Sequence, residues 1–233
     1  MNEPTRTAEA PSGEYPTRVS VDYPEGKRNR LTVFFRLFIV IPIYILLYMV
    51  SGAALQDATL ERWPWQFTST PEQNSRLADL RVTLSMGGVL FVPTLVMILF
   101  RRKYPKWWFD WNLELYRFSA RVLSYLALLR DEYPSTDETQ SVHIDITYPE
   151  TQKLNRWLPL VKWFLALPHF IVLIFLGIGA IVITVFAWFA IMLTGTYPKS
   201  LFQFVVGVNR WMTRVYSYAF LLTTDRYPPF SLQ

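Results

Sequence analysis

The 233-residue chain is 52% apolar and 17% aromatic, more than one soluble core of this size needs, and its 18% charge is gathered into blocks between long apolar runs, as in membrane proteins. It has no cysteine and only two histidines, His143 and His169, so disulfides, thiolate metal sites and cysteine nucleophiles are excluded. The net charge of +5 flanks the apolar runs, which assigns it to the positive-inside bias of membrane proteins rather than to nucleic acid.

Residues 1–14 read as a disordered tail. The first thirty residues lack an apolar h-region, so no cleavable signal peptide is expected, and the first span itself directs insertion into an inner or plasma membrane. Val19 to Glu25 alternates apolar and polar residues before Tyr23-Pro24, the pattern of a short strand stopped by proline. A first span is predicted over about 31–55, then an outer loop 56–81 carrying Trp63-Pro64-Trp65. That motif reads as an interfacial anchor or, more sharply, as a docking site for a partner. A second span over 82–100 ends at Arg101-Arg102-Lys103.

A helix over about 106–130 carries Trp108, Trp111, Leu115, Phe118, Val122, Tyr125 and Leu129 on one face and Asp110, Glu114, Arg117 and Arg121 on the other. A second strand precedes Tyr148-Pro149. The run from about 158 to 194 is too long for one ordinary span, so it is read as two, 158–176 and 178–194, turning at Gly177 and Gly179. One long tilted helix is the alternative. A second amphipathic helix over about 199–223 closes the chain, with Arg210 and Arg214 on its polar face.

The motifs recur. Val19–Glu25 matches Ile144–Glu150, Arg36 and Pro42 match Lys162 and Pro168, and Tyr104-Pro105-Lys106 matches Tyr197-Pro198-Lys199. The helices that follow align without a gap and share the pairs Arg117/Arg121 and Arg210/Arg214, and Tyr133-Pro134 and Tyr227-Pro228 close the two units. The expected fold is mainly α and integral to the membrane, with four transmembrane helices in two parallel repeats, 15–135 and 136–233. Each repeat has a short N-terminal strand and a cytoplasmic amphipathic interfacial helix. Lysines and arginines fall overwhelmingly before the first span, in 101–157 and after 194, which puts both termini on the cytoplasmic side.

Candidate contacts to anionic lipid or a protein partner follow from charge and aromatic placement: Arg36, Lys162, Arg117, Arg121, Arg210, Arg214, Trp107, Trp108 and Trp111, with Trp63 and Trp65 on the outer loop. Arg36 and Lys162 lie within about two turns of the cytoplasmic end of a span, where long side chains snorkel to headgroups. The arginine pairs on the amphipathic helices read equally as phosphate cradles and as caps on strand carbonyls. His169, whose counterpart is Ile43, reads as a hydrogen-bonded interior histidine. Pro42, Pro93 and Pro168 would each kink a span. No phosphate loop, metal-ligand spacing or nucleophile elbow appears, so no cofactor, metal or catalytic residue is expected.

Val21-Asp22-Tyr23-Pro24, Leu31 through Pro42 with Phe34-Phe35-Arg36, Tyr104-Pro105, the helix bearing Arg117 and Arg121, and Asp225 through Phe230 together resemble the bacterial membrane family catalogued as domain of unknown function 4389, in two tandem copies. The resemblance implies a bacterial membrane and no activity. The reading that follows is a non-enzymatic accessory or scaffold protein of the inner membrane, packed against a larger complex or anionic lipid. A small transporter between the repeats and a lipid-modifying enzyme using His143 or the surface carboxylates are the alternatives.

Overall fold

The computed structural model describes residues 15–50, 88–136, 138, 140–152 and 154–233. Trp63, Trp65, the loop 56–81 and the tail 1–14 lie outside the described residues, as do the end of the first expected span and the start of the second. In chain order the elements are β1 (Thr17–Val21), α1 (Arg30–Ile39), α2 (Ile41–Val50), α3 (Gly88–Val96) running into a π-helical turn (Met97–Arg101), α4 (Lys106–Leu126), β2 (Val142–Ile146), α5 (Leu158–Thr194) and α6 (Lys199–Ala219). The described residues are mainly helical with one two-stranded sheet.

Local chemistry sets most boundaries. Asn29 caps α1 by accepting from the Leu31 amide, and Asn155 accepts from the Trp157 amide just before α5, the same device at matching positions. Pro105 and Pro198 stand immediately before α4 and α6, where a missing N–H costs nothing. Gly195 ends α5 with φ +77°, the left-handed conformation that glycine adopts without strain. The expected kink at Pro42 is a 41° break between α1 and α2. Pro93 leaves α3 helical but is followed by the π-helical turn, and Pro168 sits inside an unbroken α5.

The turn expected at Gly177 is not there. Helix α5 runs for 37 residues, about 55 Å, through both glycines. Two glycines weaken a helix by only about 1 kcal/mol each, while opening a turn among apolar side chains would leave several backbone groups unpaired at greater cost. Among the described residues, then, one helix (α5) is long and apolar enough to cross a membrane, and the bent α1–α2 pair makes a second if counted as one span.

Helix α6 occupies the centre. Ala166 on α5 packs with Trp211, Val215 and Ala219, and Ala187 and Ile191 toward the other end pack with Phe202, Val205 and Val206, so the shorter α6 lies antiparallel against α5. The strands then cross over. Strand β1 lies on α6, where Thr17 donates to Ser217 at 2.9 Å and the Tyr23 ring meets Phe202 edge-on at 5.0 Å. Strand β2 lies on α4, with the Tyr148 ring edge-on to Phe109 at 5.2 Å. The strands pair antiparallel with Val19 opposite Ile144, the first residues of the two similar segments noted in the sequence.

This specifies the expected place of α6. Of the two places open to it, the lipid interface or beneath the apolar helices, the second fits: its apolar stripe is taken up by α5 and its polar side by β1, and most of its residues are buried. Helix α4 keeps Trp107, Trp111 and Leu123 exposed among the described residues.

Candidate functional site

Two buried cations sit at matching places on the apolar helices. Arg36 on α1 is 2% exposed. Its guanidinium donates to the carbonyls of Tyr125 and Arg130 and to Asp131 Oδ1 at 2.5 Å, and lies 4.3 Å above the Tyr125 ring. Lys162 on α5 is fully buried. Its ammonium donates to the Thr224 carbonyl at 2.7 Å, lies 2.7 Å from Asp225 Oδ1 and stands 5.2 Å over the Tyr218 ring. Each site is a cation, a tyrosine from the last turn of the amphipathic helix, a loop carbonyl and the aspartate that follows it. Both cations, where snorkelling to headgroups was expected, are in contact with a backbone carbonyl and a carboxylate of the protein.

Asp131 also receives Arg28, at 2.7 Å, so the first site holds two guanidiniums on one carboxylate where the second holds one ammonium. The loop geometry recurs too: Leu128 and Leu222 both have positive φ, at 61° and 55°, unusual for leucine, and both are buried. The uniform offset read through Leu129 and Leu222 is therefore off by one at its end, since α6 is followed by one residue more than α4 before the equivalent bend.

The helix arginines are turned to backbone. Arg117 Nε donates to the Ile144 carbonyl at 2.9 Å, and Arg210 Nε to the Val19 carbonyl at 3.2 Å, so each holds the centre of the strand that lies on its helix. Arg117 also pairs with Glu114 at 2.6 Å. Arg121 donates to the Ser135 carbonyl, and Arg214 to the carbonyls of Ser231 and Gln233. Tyrosine hydroxyls cross in the same way, Tyr23 to the Tyr197 carbonyl and Tyr148 to the Tyr104 carbonyl.

The tryptophans divide. Trp108 donates to Thr94 at 2.9 Å and stacks on Trp111, whereas Trp107 is 70% exposed. His169 is buried, its Nδ1 accepting from Trp211 Nε1 at 3.1 Å and its ring stacked 3.9 Å from Phe230, which is the interior hydrogen-bonded histidine the sequence suggests. On the open face of the sheet His143 lies 3.6 Å from Asp22, both exposed, while Asp145 turns to Arg117. No group of three or more metal-ligating side chains gathers among the described residues.

Among the described residues, α5 and α1 carry much of the exposed apolar surface. Helix α5 exposes Phe164, Ile171, Phe175, Ile181, Phe186 and Leu193, one after another along its length, and α1 exposes Leu31, Leu37 and Phe38. Basic residues gather at the ends: Lys27 and Arg30 beside Gly195, Arg101, Arg102 and Lys103 after the π-helical turn, and Lys199 at the start of α6.

Helix α5, its buried lysine, α6 and the closing Asp225 form one continuous stretch of chain, and that stretch is what the comparisons recognise. Residues 157–231 match the family model described as Domain of unknown function (DUF4389). The match supports the family resemblance over residues 157–231. The DUF4389 segment begins one residue before α5 and holds Lys162, His169, Arg210, Arg214 and Asp225, hence one complete buried-cation site. No curated protein and no solved structure matches the chain.

Sequence reasoning missed Asp131, Asp225 and the two stacked tyrosines as partners of the cations. A signal was present: each aspartate stands two residues before the Tyr-Pro that closes its unit.

Proposed function

We propose that the chain is a non-enzymatic scaffold of a bacterial cytoplasmic membrane, built from two DUF4389-like units, that holds anionic lipid or a larger membrane complex. The observation that carries this reading is the division of labour among side chains. The repeated polar groups are spent on the fold, while apolar side chains and the basic clusters beside them face outward. The two-unit reading is supported by the cation sites, the crossed tyrosine and arginine contacts and the left-handed leucines, each occurring at motif-equivalent positions. In this reading the basic segments, including both termini, face the cytoplasm.

A groove of about 310 Å³ between α1 and the C-terminal half of α5, lined by Val33, Leu37, Val185, Trp188 and Phe189, has the volume and apolar lining to take part of an acyl chain. The cations that motivated a transport reading are each closed by an aspartate and a carbonyl. Purification of the full chain in mild detergent, with co-purifying lipids and proteins identified by mass spectrometry, tests the proposal. Enrichment of anionic phospholipid or of a stoichiometric membrane partner is expected; recovery of the chain alone, with neither, would overturn it.

A further inference from the structure

The layers of the fold constrain how α5 meets the membrane. Lys162 meets Thr224 in the segment after α6, His169 meets Trp211 on α6, and Ile191 shares a buried cluster with Phe202 near its start, so α6 and the segment that follows it run alongside α5. Strand β1 is aligned with α6 in turn: Thr17 meets Ser217, Val19 meets Arg210 and Tyr23 meets Phe202. The far face of the sheet is exposed and polar, with Arg18, Ser20, His143 and Asp145. The order is therefore apolar helix, amphipathic helix, sheet and water, with the long axes side by side.

If α5 crossed the bilayer, α6 and β1 would stand beside it at the same depth. That would carry Arg18, Asp22 and a sheet with two strands among the described residues into hydrocarbon, where lipid-exposed sheet edges do not occur and a charge costs several kcal/mol. Length argues the same way. A helix of 37 residues, about 55 Å, would have to tilt about 57° to fit a core about 30 Å thick, beyond the range of about 0–40° seen for spanning helices. Laid flat, the same helix immerses its exposed side chains from Phe164 to Leu193 in one leaflet. Arg156 near one end and Lys27 and Arg30 at the other would then reach the headgroups of that same leaflet.

We infer that α5 lies in the plane of the membrane, embedded in the cytoplasmic leaflet, with α6 above it and the sheet in water. The DUF4389 segment is then monotopic, and the expected pair of spans over 158–194 is a single in-plane helix. This rests on the membrane reading above and specifies its geometry.

The chain has no cysteine, so single cysteines can be placed in the full-length protein. Nitroxides at F164C, I171C, I178C, F186C and L193C, in vesicles of phosphatidylcholine and phosphatidylglycerol, report depth through collisions with oxygen and a water-soluble nickel chelate. Equal, shallow depths at all five sites are expected. Q152C and T196C, beyond the two ends of α5, are expected to react with an impermeant maleimide from the same side of the membrane. Depth peaking at Ile178 overturns the inference: with ends labelled from opposite sides α5 spans, and with ends labelled from one side it is a re-entrant hairpin. Labels that are water-exposed at every position would overturn the membrane reading as well.

Discussion

At the scale of single residues, the buried cations set the largest local energies. Asp225→Asn leaves the Lys162 ammonium fully buried with one neutral carbonyl, and breaking a buried pair from one side costs about 3–5 kcal/mol. Lys162→Met removes the buried charge itself and leaves an aspartate still 26% exposed, so its cost is expected below about 2 kcal/mol. Asp131→Asn strands two guanidiniums and is expected to cost the most of the three. Chemical unfolding in detergent gives the order, and equal losses for Asp225→Asn and Lys162→Met would contradict it. The equivalence of Arg36 and Lys162 was legible because both precede a proline by six residues. Their partners were not, since a carboxylate 95 or 63 positions away is brought in only by the packing of helices.

Glu132 supplies a pH dependence outside the apolar helices. Burial pulls its carboxyl upward, but hydrogen bonds from the Ser141 hydroxyl and amide and from Arg130 outweigh burial and hold it at about 2. A folded value below the ordinary 4.5 means that its stabilisation is complete above about pH 4.5 and is lost as pH falls toward about 2. Glu132→Gln is expected to flatten this acid limb, read from denaturation midpoints at about pH 5 and about pH 3. An unchanged limb would place the dependence on other carboxylates.

At the scale of elements, the glycines separate two roles. A Cβ at Gly177 meets nothing within 4 Å, and one at Gly179 reaches the Phe204 ring at an ordinary 3.8 Å. Gly177→Ala and Gly179→Ala are therefore expected to be neutral or stabilising by up to about 1 kcal/mol each, whereas a turn at this point would make them damaging. A Cβ at Gly207 would come within 2.9 Å of the Leu232 carbonyl, so Gly207→Ala must displace the C-terminal segment, at about 1–3 kcal/mol. Thermal unfolding of the three variants checks both signs. The amphipathic faces of α4 and α6 were legible from their spacing, but which surface would cover them was not: periodicity marks an apolar stripe without saying whether lipid or another helix fills it.

At the scale of the whole molecule, the recurring motifs were plain in the sequence, while the exchange of strands between halves was hidden. A strand followed by long connections can dock on the helix of its own half or of the other, and composition does not distinguish them. Because β1 lies on α6 and β2 on α4, the halves are held by more than the segment that joins them. A protease site inserted after the exposed Thr136 is expected to yield two fragments that stay together through size exclusion in mild detergent. Fragments that separate on cleavage would mean that the crossed contacts are weaker than the connecting chain.

The exchange of strands also places folding in time. Thr17 finds its hydroxyl partner 200 residues later, and Tyr15 reaches a carbonyl 211 residues later. At about 5–20 residues per second, β1 emerges from the ribosome roughly 10–40 s before the helix it rests on. The pairing edge of β1 is covered earlier, once β2 is made, but its face toward α6 and the Tyr23 ring wait for the full interval, so during synthesis the nascent first half is the species most open to chaperones and to pairing with a neighbouring chain.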